Sequence, residues 1–357
     1  MAFPERTLSA PGKLFVSGEY AVLWGGVSRV LAVAPRTHAL VRGRSDRVVE
    51  LVLEDGRLTG TATPAGVRWD AEVTAPYRFA AITLDHALRI SGREGPGFSI
   101  AFEPSPLIDG HKLGLGSSAR ATVLAAEAAR VALDASFDSL KVALLAHADA
   151  QGGKGSGGDV AASFAGGLVR YRRYDVAPLV KASAKGGLVA LLDRAAPVDL
   201  ARVGEPVYPL VYVFSGESSS TPSLIRAIEA RLSADARREF VEKSDHHGDL
   251  LEKGLVRRDF GAIEASCEEL QALLWSLGDT RHEALERIIG LARTFGCVAK
   301  QSGAGGGDGA IAFCPDAAAQ RELIAACTAR GLHAFAVAAS AGLQGEVKTH
   351  PALAAWL

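Results

Sequence analysis

Residues 112–119 (KLGLGSSA) constrain this chain most, because a turn of glycines and serines leads directly into a helical stretch at 120–133. Glycines let a backbone approach an anion, and the first N–H groups of a helix are unpaired and carry the positive end of its dipole. Such a junction binds phosphate, although similar turns also begin helices that bind nothing. Two further glycine-rich segments, 154–159 and 300–308, favour the phosphate-binding interpretation.

Composition limits the class of protein. A chain of 357 residues exceeds what one hydrophobic core supports, so we expect two domains, residues 1–204 and 205–357. Apolar residues make up 48% against 22% charged residues, which indicates a folded globular protein. The net charge of -1 provides no field that would attract nucleic acid or an anionic membrane, so neither is an expected partner.

Targeting and cysteine usage point the same way. The sequence shows no secretory segment and no membrane span, so we expect a cytoplasmic protein. The cysteines have no metal-ligand spacing and are expected to be reduced, mostly buried thiols. They are Cys267, Cys297, Cys314 and Cys327.

Hydrophobic periodicity predicts an α+β fold. Short β-like runs occupy residues 7–53, and helices are expected at 77–90, 118–133 and 139–150, with a strand at 98–102. A brief helix after residue 159 and a strand at 168–174 complete the first half. The second half is expected to contain a strand at 207–214, helices between 222 and 295, a strand at 310–313, a helix at 316–330 and a last strand at 333–338.

Lys13 and Asp159 are the candidate catalytic pair. Lys13 follows a Pro-Gly turn at the edge of a predicted strand, and Asp159 begins a short predicted helix. A lone lysine is usually solvated, and a carboxylate at a helix start is favoured simply as a cap. Beside a phosphate turn, however, one cation that stabilises the transferring group and one carboxylate that orients the acceptor are a minimal set for phosphoryl transfer.

The turn could also hold a metal ion. Ser117 or Ser118 could offer a hydroxyl to Mg²⁺ bridging two phosphates, because this ion usually takes only one or two protein ligands. The common nucleotide loop GxxxxGK[ST] does not occur. The glycines at 303–307 disfavour both helix and strand, so we expect either a flexible loop or, in this context, a backbone that passes close to a ligand or to the phosphate turn.

Three motifs together resemble the GHMP kinase superfamily, named for galactokinase, homoserine kinase, mevalonate kinase and phosphomevalonate kinase. Residues 10–23 (APGKLFVSGEYAVL), 112–119 and 300–308 (KQSGAGGGD) resemble its first, second and third motifs in the same order. The resemblance implies an N-terminal domain like ribosomal protein S5, a ferredoxin-like C-terminal domain, and a cleft that holds ATP and an acceptor.

Local residues resemble the branch of the superfamily whose acceptor is 5-phosphomevalonate. Tyr20 stands where mevalonate kinases usually carry histidine, and Ala148 stands where they place a metal-binding glutamate. Lys112 and the turn at 215–222 are also similar to this branch. The implied reaction transfers the γ-phosphoryl group of ATP to 5-phosphomevalonate, giving 5-diphosphomevalonate in the mevalonate route to isoprenoids.

The resemblance also implies roles for individual residues. Catalysis is expected from Lys13 and Asp159. ATP is expected to bind at Lys112, Gly114, Leu115, Gly116, Ser117, Ser118 and Ala119, with Mg²⁺ at Ser117 and Ser118. The acceptor is expected to contact Glu19, Tyr20, Lys154, Ser156, Arg172, Gly303, Ala304, Gly305 and Gly306.

Some positions stay open at this level. Arg120 and Gln301 depart from the commoner alanine and proline; Arg120 could touch a phosphate, but solvent is the favoured location. Asp149, Gln151 or water could replace the missing glutamate. The strand at 170–173 could supply cations to the acceptor or could equally be a solvated edge.

Several other functions remain compatible with these residues. A mevalonate kinase or another kinase of the superfamily would phosphorylate a hydroxyl group, and a diphosphomevalonate decarboxylase would release carbon dioxide. A non-catalytic sensor would bind ATP without turnover. Both a monomer and a homodimer fit the sequence.

Overall fold

The computed structural model describes residues 4–92, 95–104, 107–108, 111–179, 192, 196–217 and 221–357. The described residues form a nine-stranded sheet, a four-stranded sheet and a small two-stranded sheet, with helical layers on the two larger ones, which confirms the expected α+β class. The strands are β1 Arg6–Ser17, β2 Val27–Gly43, β3 Val48–Leu53, β4 Gly56–Thr63, β5 Gly66–Trp69, β6 Phe98–Phe102, β7 Leu107–Ile108, β8 His111–Lys112, β9 Leu168–Arg172, β10 Leu200–Gly204, β11 Leu210–Phe214, β12 Val298–Gln301, β13 Gly309–Phe313, β14 His333–Val337 and β15 Gln344–Glu346.

Helices separate groups of these strands. A short 3₁₀ helix spans Ala21–Trp24. The α-helices are α1 Arg78–Ser91, α2 Ser117–Ala132, α3 Ser139–Ala150, α4 Gly158–Ala165, α5 Thr221–Arg231, α6 Ala234–Arg257, α7 Phe260–Trp275, α8 Glu283–Arg293, α9 Ala317–Thr328 and α10 Pro351–Ala354.

The first sheet is built around the long strand β2. Its order is β10-β9-β2-β6-β3-β4-β5, and β1 pairs antiparallel with both β2 and β15. Strand β9 alternates buried Val169 and Tyr171 with exposed Arg170 and Arg172, as the sequence predicts. It lies between β10 and β2, so the interpretation of this strand as a sheet edge is wrong.

Helices α1 to α4 cover one face of the first sheet. Helix α2 is rich in alanine, and these small side chains pack in the same buried cluster as Phe98 and Ile100 of β6. Helix α3 begins at Asp138, whose carboxylate accepts hydrogen bonds from the N–H groups of Leu140 (2.9 Å) and Lys141 (3.2 Å). This capping explains why α3 starts where its periodicity predicts.

The second sheet is antiparallel, with the order β12-β13-β11-β14. In chain order this arrangement is a β-α-β-β-α-β unit, the ferredoxin-like topology that the resemblance implies. Helices α8 and α9 supply Leu285, Ile288 and Leu323 to the core on one face of this sheet.

The other face of the second sheet packs toward the first sheet. Leu14 and Leu31 from β1 and β2 share one buried cluster with Tyr212 and Phe313 from β11 and β13. The chain then returns to the first sheet, because β15 pairs with β1 and Leu353 of α10 packs against residues of β2, β3 and β6. The domain boundary near residue 204 remains a prediction, although it falls between strands of different sheets.

Buried charge also joins the two parts of the molecule. The Nζ atom of Lys300 in β12 donates to Glu19 Oε1 (2.5 Å) and to the Gln301 carbonyl oxygen (2.6 Å). Both side chains are almost fully buried. Arg29 of β2 is also fully buried and pairs with Asp249 and Glu252 of α6.

Two simpler expectations concern thiols and membranes. All four cysteines are free and buried, which confirms the expected burial, and their reduced state stays a prediction. Within the described part of the chain, no helix combines the length and apolar character needed to cross a membrane.

We predict that breaking the Lys300–Glu19 pair from one side destabilises the fold. Lys300→Met leaves a buried carboxylate without its cation, which typically costs about 3–5 kcal/mol of unfolding free energy. Urea unfolding should show a smaller loss for Lys300→Met combined with Glu19→Gln than the sum of the two single losses. Additive losses, or a wild-type midpoint for Lys300→Met, would contradict this role.

Candidate active site

A cleft of about 430 Å³ opens where the glycine-rich segments meet. Its walls come from β1, from the turn before α2, from the turn before α4 and from the loop between β12 and β13. The predicted site residues that line it are Lys13, Glu19, Tyr20, Gly114, Leu115, Gly116, Ser117, Ser118, Lys154, Ser156, Asp159, Gly303 and Ala304.

The turn before α2 presents open backbone donors. Gly114 and Gly116 adopt positive φ angles of 68° and 81°, which side-chain-bearing residues rarely adopt. Gly116 is the N-cap of α2, and no side chain caps this helix end. The first N–H groups of α2 therefore remain available to an anion. Ala119 is fully buried, so only its backbone could take part.

Lys13 is held against this turn by two contacts. Its N–H donates to the Leu115 carbonyl oxygen (3.1 Å), and its Nζ atom donates to the Gly114 carbonyl oxygen (3.1 Å). The side chain passes directly over Gly116, where a Cβ atom would lie 2.9 Å from Lys13 Cγ. Gly116 is therefore required both by its φ angle and by the path of the lysine.

Burial lowers the pKa of Lys13 below its ordinary value, because removal from water disfavours the charged form. The nearby carboxylates of Asp159, Asp308 and Glu19 oppose this shift. The predicted pair of Lys13 and Asp159 thus shares one cleft and one electrostatic environment.

Asp159 lies in the first turn of α4, whose N-cap Gly157 also provides no side-chain cap. One carboxylate oxygen, Oδ1, accepts from the Val160 N–H group (3.0 Å). The other, Oδ2, lies 3.7 Å from His147 Nε2, and the same nitrogen lies 3.3 Å from Ser118 Oγ. A buried histidine therefore stands between the serine of the turn and the carboxylate.

The sequence does not predict His147 as a site residue. Helix α3 is buried over almost its whole length, so periodicity does not distinguish this histidine from its core neighbours. Its ring packs 5.2 Å from the Phe79 ring, centroid to centroid, and its Nδ1 atom is buried without a hydrogen-bond partner in the described structure. We interpret it as a residue that positions Ser118 and Asp159.

The third glycine-rich segment closes the cleft from the second sheet. The Tyr20 hydroxyl donates to the Ala304 carbonyl oxygen (2.6 Å), and the Ser302 hydroxyl donates to the Phe15 carbonyl oxygen (2.9 Å). Burial raises the pKa of Tyr20, so its hydroxyl remains a donor. These bonds join residues that are far apart in sequence.

Only part of this segment faces the cleft. Gly303 and Ala304 line it, whereas a Cβ atom at Gly305 would collide with Thr280, and Gly306 N–H donates to the Thr280 carbonyl oxygen (3.0 Å). Asp308 was not predicted, yet it lines the cleft with a positive φ of 56°. The sequence feature that could have indicated Asp308 as a site residue is its position directly after three consecutive glycines, residues 305–307.

Two basic residues behave differently from the expectation. Arg120 is 2% exposed and lines the cleft, so its favoured placement in solvent is wrong. Arg172 does not line the cleft. Its guanidinium donates to the Gly25 carbonyl oxygen, and its Nε atom lies 3.4 Å from Asp199 Oδ2. Lys112 pairs through its backbone with Leu107, and its side chain lies outside the described residues.

Oxygen donors are available for a magnesium ion. Ser118, Asp159, Asp308 and Gln151 all line the cleft, and hydroxyl, carboxylate and amide oxygens are the ligands that Mg²⁺ prefers. Asp149, the other candidate for the missing glutamate, pairs instead with His86 Nε2 (2.9 Å).

A second cluster with metal-ligand chemistry lies away from the cleft. His38 Nδ1 lies 2.7 Å from Glu103 Oε2, and His350 Nε2 lies 3.6 Å from Glu103 Oε1. His350 Nδ1 accepts from the Leu353 N–H group, so its other ring nitrogen carries the proton in the neutral ring. These contacts, together with the His38 and His350 rings 5.4 Å apart, explain the cluster as a polar and aromatic contact between α10 and the first sheet.

Comparison with known proteins agrees with this geometry. The GHMP kinases N terminal domain matches residues 80–167, and the GHMP kinases C terminal domain matches residues 251–332. A phosphomevalonate kinase from Streptomyces sp. (strain CL190) is 30% identical, covering 90% of this chain and 94% of the relative. The chain therefore belongs to the GHMP kinase family and is a phosphotransferase.

Within that family, the chain is similar to phosphomevalonate kinases over nearly its full length. A second such enzyme, from Saccharolobus solfataricus, is 26% identical, covering 95% of this chain and 98% of the relative. The structure of Streptococcus pneumoniae phosphomevalonate kinase in complex with phosphomevalonate and AMPPNP has a TM-score of 0.78 at 22% identity, covering 95% and 100% of the two chains. A Lin0012 protein from Listeria innocua has a TM-score of 0.85 at 24% identity, covering 96% and 99%.

We predict that Gly116→Ala abolishes most turnover, because the added methyl group would displace Lys13. Gly152→Ala is the matched control: Gly152 has a similar positive φ of 64°, but no atom lies within 4 Å of the position that its added methyl group would take. Steady-state kinetics should show a loss of kcat of about 10²-fold or more for Gly116→Ala and little change for the control. Equal losses in the two variants would indicate backbone strain rather than displacement of the lysine.

Proposed function

We propose that this protein transfers the γ-phosphoryl group of ATP to the phosphate group of 5-phosphomevalonate, giving 5-diphosphomevalonate and ADP. The observation that carries the proposal is the convergence of Lys13 and Asp159 on the uncapped start of α2 within one cleft. Similarity to two phosphomevalonate kinases over nearly the whole chain supports this choice of acceptor.

In the transfer, an oxygen atom of the acceptor phosphate attacks the γ-phosphorus atom of ATP. The bond between this phosphorus and the β,γ-bridging oxygen breaks, and ADP leaves with the electron pair. Lys13 faces the transferring group as a cation, and the open N–H groups of α2 face the phosphates. Both stabilise negative charge without rearrangement during the reaction.

A strong base is unnecessary in this reaction. The second pKa of a phosphate ester is about 6, so the acceptor is mostly dianionic near neutral pH. Asp159 therefore acts by orienting the acceptor and by its electrostatic attraction to Lys13, and His147 lies beside its carboxylate. This differs from transfer to an alcohol, where a proton must leave the nucleophile.

Magnesium fits the oxygen donors of the cleft. We expect Ser117 or Ser118 to hold the ion; Asp159, Gln151 and Asp308 also line the cleft and would offer further oxygen atoms. The bound ion supplies positive charge to the phosphates of ATP.

The acceptor also needs cations. Lys154 lines the cleft and is exposed, so it can approach an anionic ligand. Glu19 is paired with Lys300, and the Tyr20 hydroxyl donates to the Ala304 carbonyl oxygen, so we expect both residues to shape the acceptor pocket.

A cytoplasmic location and a monomeric or homodimeric state remain predictions.

Measurement of ADP release tests the acceptor directly. We expect turnover with 5-phosphomevalonate, and a kcat/KM for mevalonate lower by about a hundredfold or more, because the cations would be left without their anion. Phosphorus NMR should show the diphosphate signals of 5-diphosphomevalonate in addition to those of ADP. Preferential turnover of mevalonate, release of carbon dioxide from diphosphomevalonate, or ATP binding without turnover would each replace this proposal with the corresponding alternative.

The two catalytic residues should differ in importance. We predict that Lys13→Met lowers kcat by about 10²–10³-fold, because it removes charge stabilisation of the transition state. Asp159→Asn should cause a smaller loss, since the acceptor requires no base. Comparison of kcat values at saturating substrates decides the ranking, and a greater loss for Asp159→Asn would show that the carboxylate does more than position its neighbours.

A further inference from the structure

Arg120 is a buried cation for which the fold provides almost no partner. Its side chain is 2% exposed and lines the cleft. It makes one hydrogen bond, from Nη1 to the Pro35 carbonyl oxygen (3.1 Å), and its Nε atom is buried without a partner among the described residues. Among the residues that the structure describes, no carboxylate lies within ion-pair distance of the Arg120 guanidinium.

This arrangement costs free energy in the empty protein. A buried charge is unfavourable unless it is paired, and burial lowers the pKa of Arg120 to about 10. Arg120 also lies in the first turn of α2, where the helix dipole disfavours a cation. Its positive charge repels the positive charge of Lys13. An anion bound in the cleft would remove all three penalties together.

Two other buried cations of this protein are paired with carboxylates, although Nη1 of Arg29 is, like Nε of Arg120, buried without a hydrogen-bond partner among the described residues. Lys300 pairs with Glu19, and Arg29 pairs with Asp249 and Glu252. In both, a carboxylate compensates the buried charge. Arg120 lacks such a carboxylate, so its position is better explained by a ligand than by packing.

Helical geometry indicates which ligand it would reach. Residues three apart are neighbours on a helix surface, whereas residues two apart do not face each other. Arg120 therefore shares a face of α2 with Ser117 and not with Ser118, which contacts His147 beside Asp159. This spacing places Arg120 on a different face of α2 from Ser118, which is the serine linked through His147 to Asp159.

We propose that Arg120 binds a phosphate oxygen of the nucleotide held by the turn before α2. This inference rests on the proposed function, since it takes the nucleotide to be the ligand of that turn. The acceptor phosphate has the same chemistry, and substitution of Arg120 separates the two.

Three substitutions separate charge from shape. Arg120→Gln keeps an N–H donor that could reach the Pro35 carbonyl oxygen but removes the charge, and Arg120→Met removes both. Arg120→Lys keeps the charge and should partly restore binding. Arg130→Met is the matched control, because Arg130 lies on the same helix, pairs with Glu127 and does not line the cleft.

Binding is measured by titration calorimetry with AMPPNP and with ADP, in the absence of acceptor. We expect Arg120→Met and Arg120→Gln to weaken AMPPNP binding about ten- to a hundredfold, as for loss of a hydrogen bond to a charged group, with a smaller effect for Arg120→Lys. The KM for ATP should rise in parallel, while the KM for 5-phosphomevalonate changes little. Arg130→Met should match the wild type in both measurements.

Thermal unfolding provides a readout that a purely structural role would not give. Without nucleotide, Arg120→Met should unfold at or above the wild-type temperature, because it removes an uncompensated buried charge. The stabilisation produced by AMPPNP should be smaller in this variant than in the wild type. A lower Tm together with unchanged nucleotide affinity would assign Arg120 to packing and overturn the proposal.

Two further outcomes are also decisive. A raised KM for 5-phosphomevalonate with unchanged nucleotide affinity would overturn the proposal in favour of an acceptor-binding role. If the wild type binds AMPPNP but does not phosphorylate 5-phosphomevalonate, the proposed function fails, and the affinities of the Arg120 variants still decide whether this residue binds the nucleotide.

Discussion

The contact between β1 and the turn before α2 is the constraint on which the site depends. Lys13 extends over Gly116 and bonds to the Gly114 carbonyl oxygen, while its own N–H group bonds to Leu115. These contacts fix the distance between the lysine and the open end of α2. Because Leu14 and Leu115 on either side are buried in the cluster between the two sheets, the geometry of the turn is tied to the core.

The charges of this protein separate into two groups. Lys300 and Arg29 are buried and paired with carboxylates, and they join β12 and α6 to the first sheet. Lys13 and Arg120 are oriented toward the cleft and bond to carbonyl oxygens. A carbonyl oxygen offsets only part of the cost of a buried cation, so Arg120 remains without a compensating anion among the described residues. A polyphosphate would supply that charge, and its binding would stabilise the fold by linkage.

The sequence was sufficient for local features. Strand β6 and helix α3 have the predicted bounds, because a fully buried run and an aspartate cap define them locally. Strand β15 was not predicted, since its three residues are exposed and only their pairing with β1 makes them a strand. Arg120 was misplaced for a related reason: the alanines around α2 give it no polar face, so periodicity does not indicate where the arginine points.

The site itself was predictable to the extent that its parts are motifs. Each glycine-rich segment can be recognised in the sequence, but the hydrogen bonds and ion pairs that bring these segments together cannot. Tyr20 and Ala304 are 284 positions apart, and Lys300 and Glu19 are 281 apart. In both cases a residue expected to bind the acceptor also holds the second sheet against the first. This part of the cleft is therefore built from contacts between the two sheets, and we expect substitutions at Glu19 or Tyr20 to alter stability and substrate binding together. The turn before α2 is tied to the second sheet as well, because Leu115 lies in the shared buried cluster and the Tyr212 hydroxyl donates to the Leu113 carbonyl oxygen (3.0 Å). Arg120 bonds instead to the Pro35 carbonyl oxygen of β2, so its substitution leaves the interface between the sheets in place.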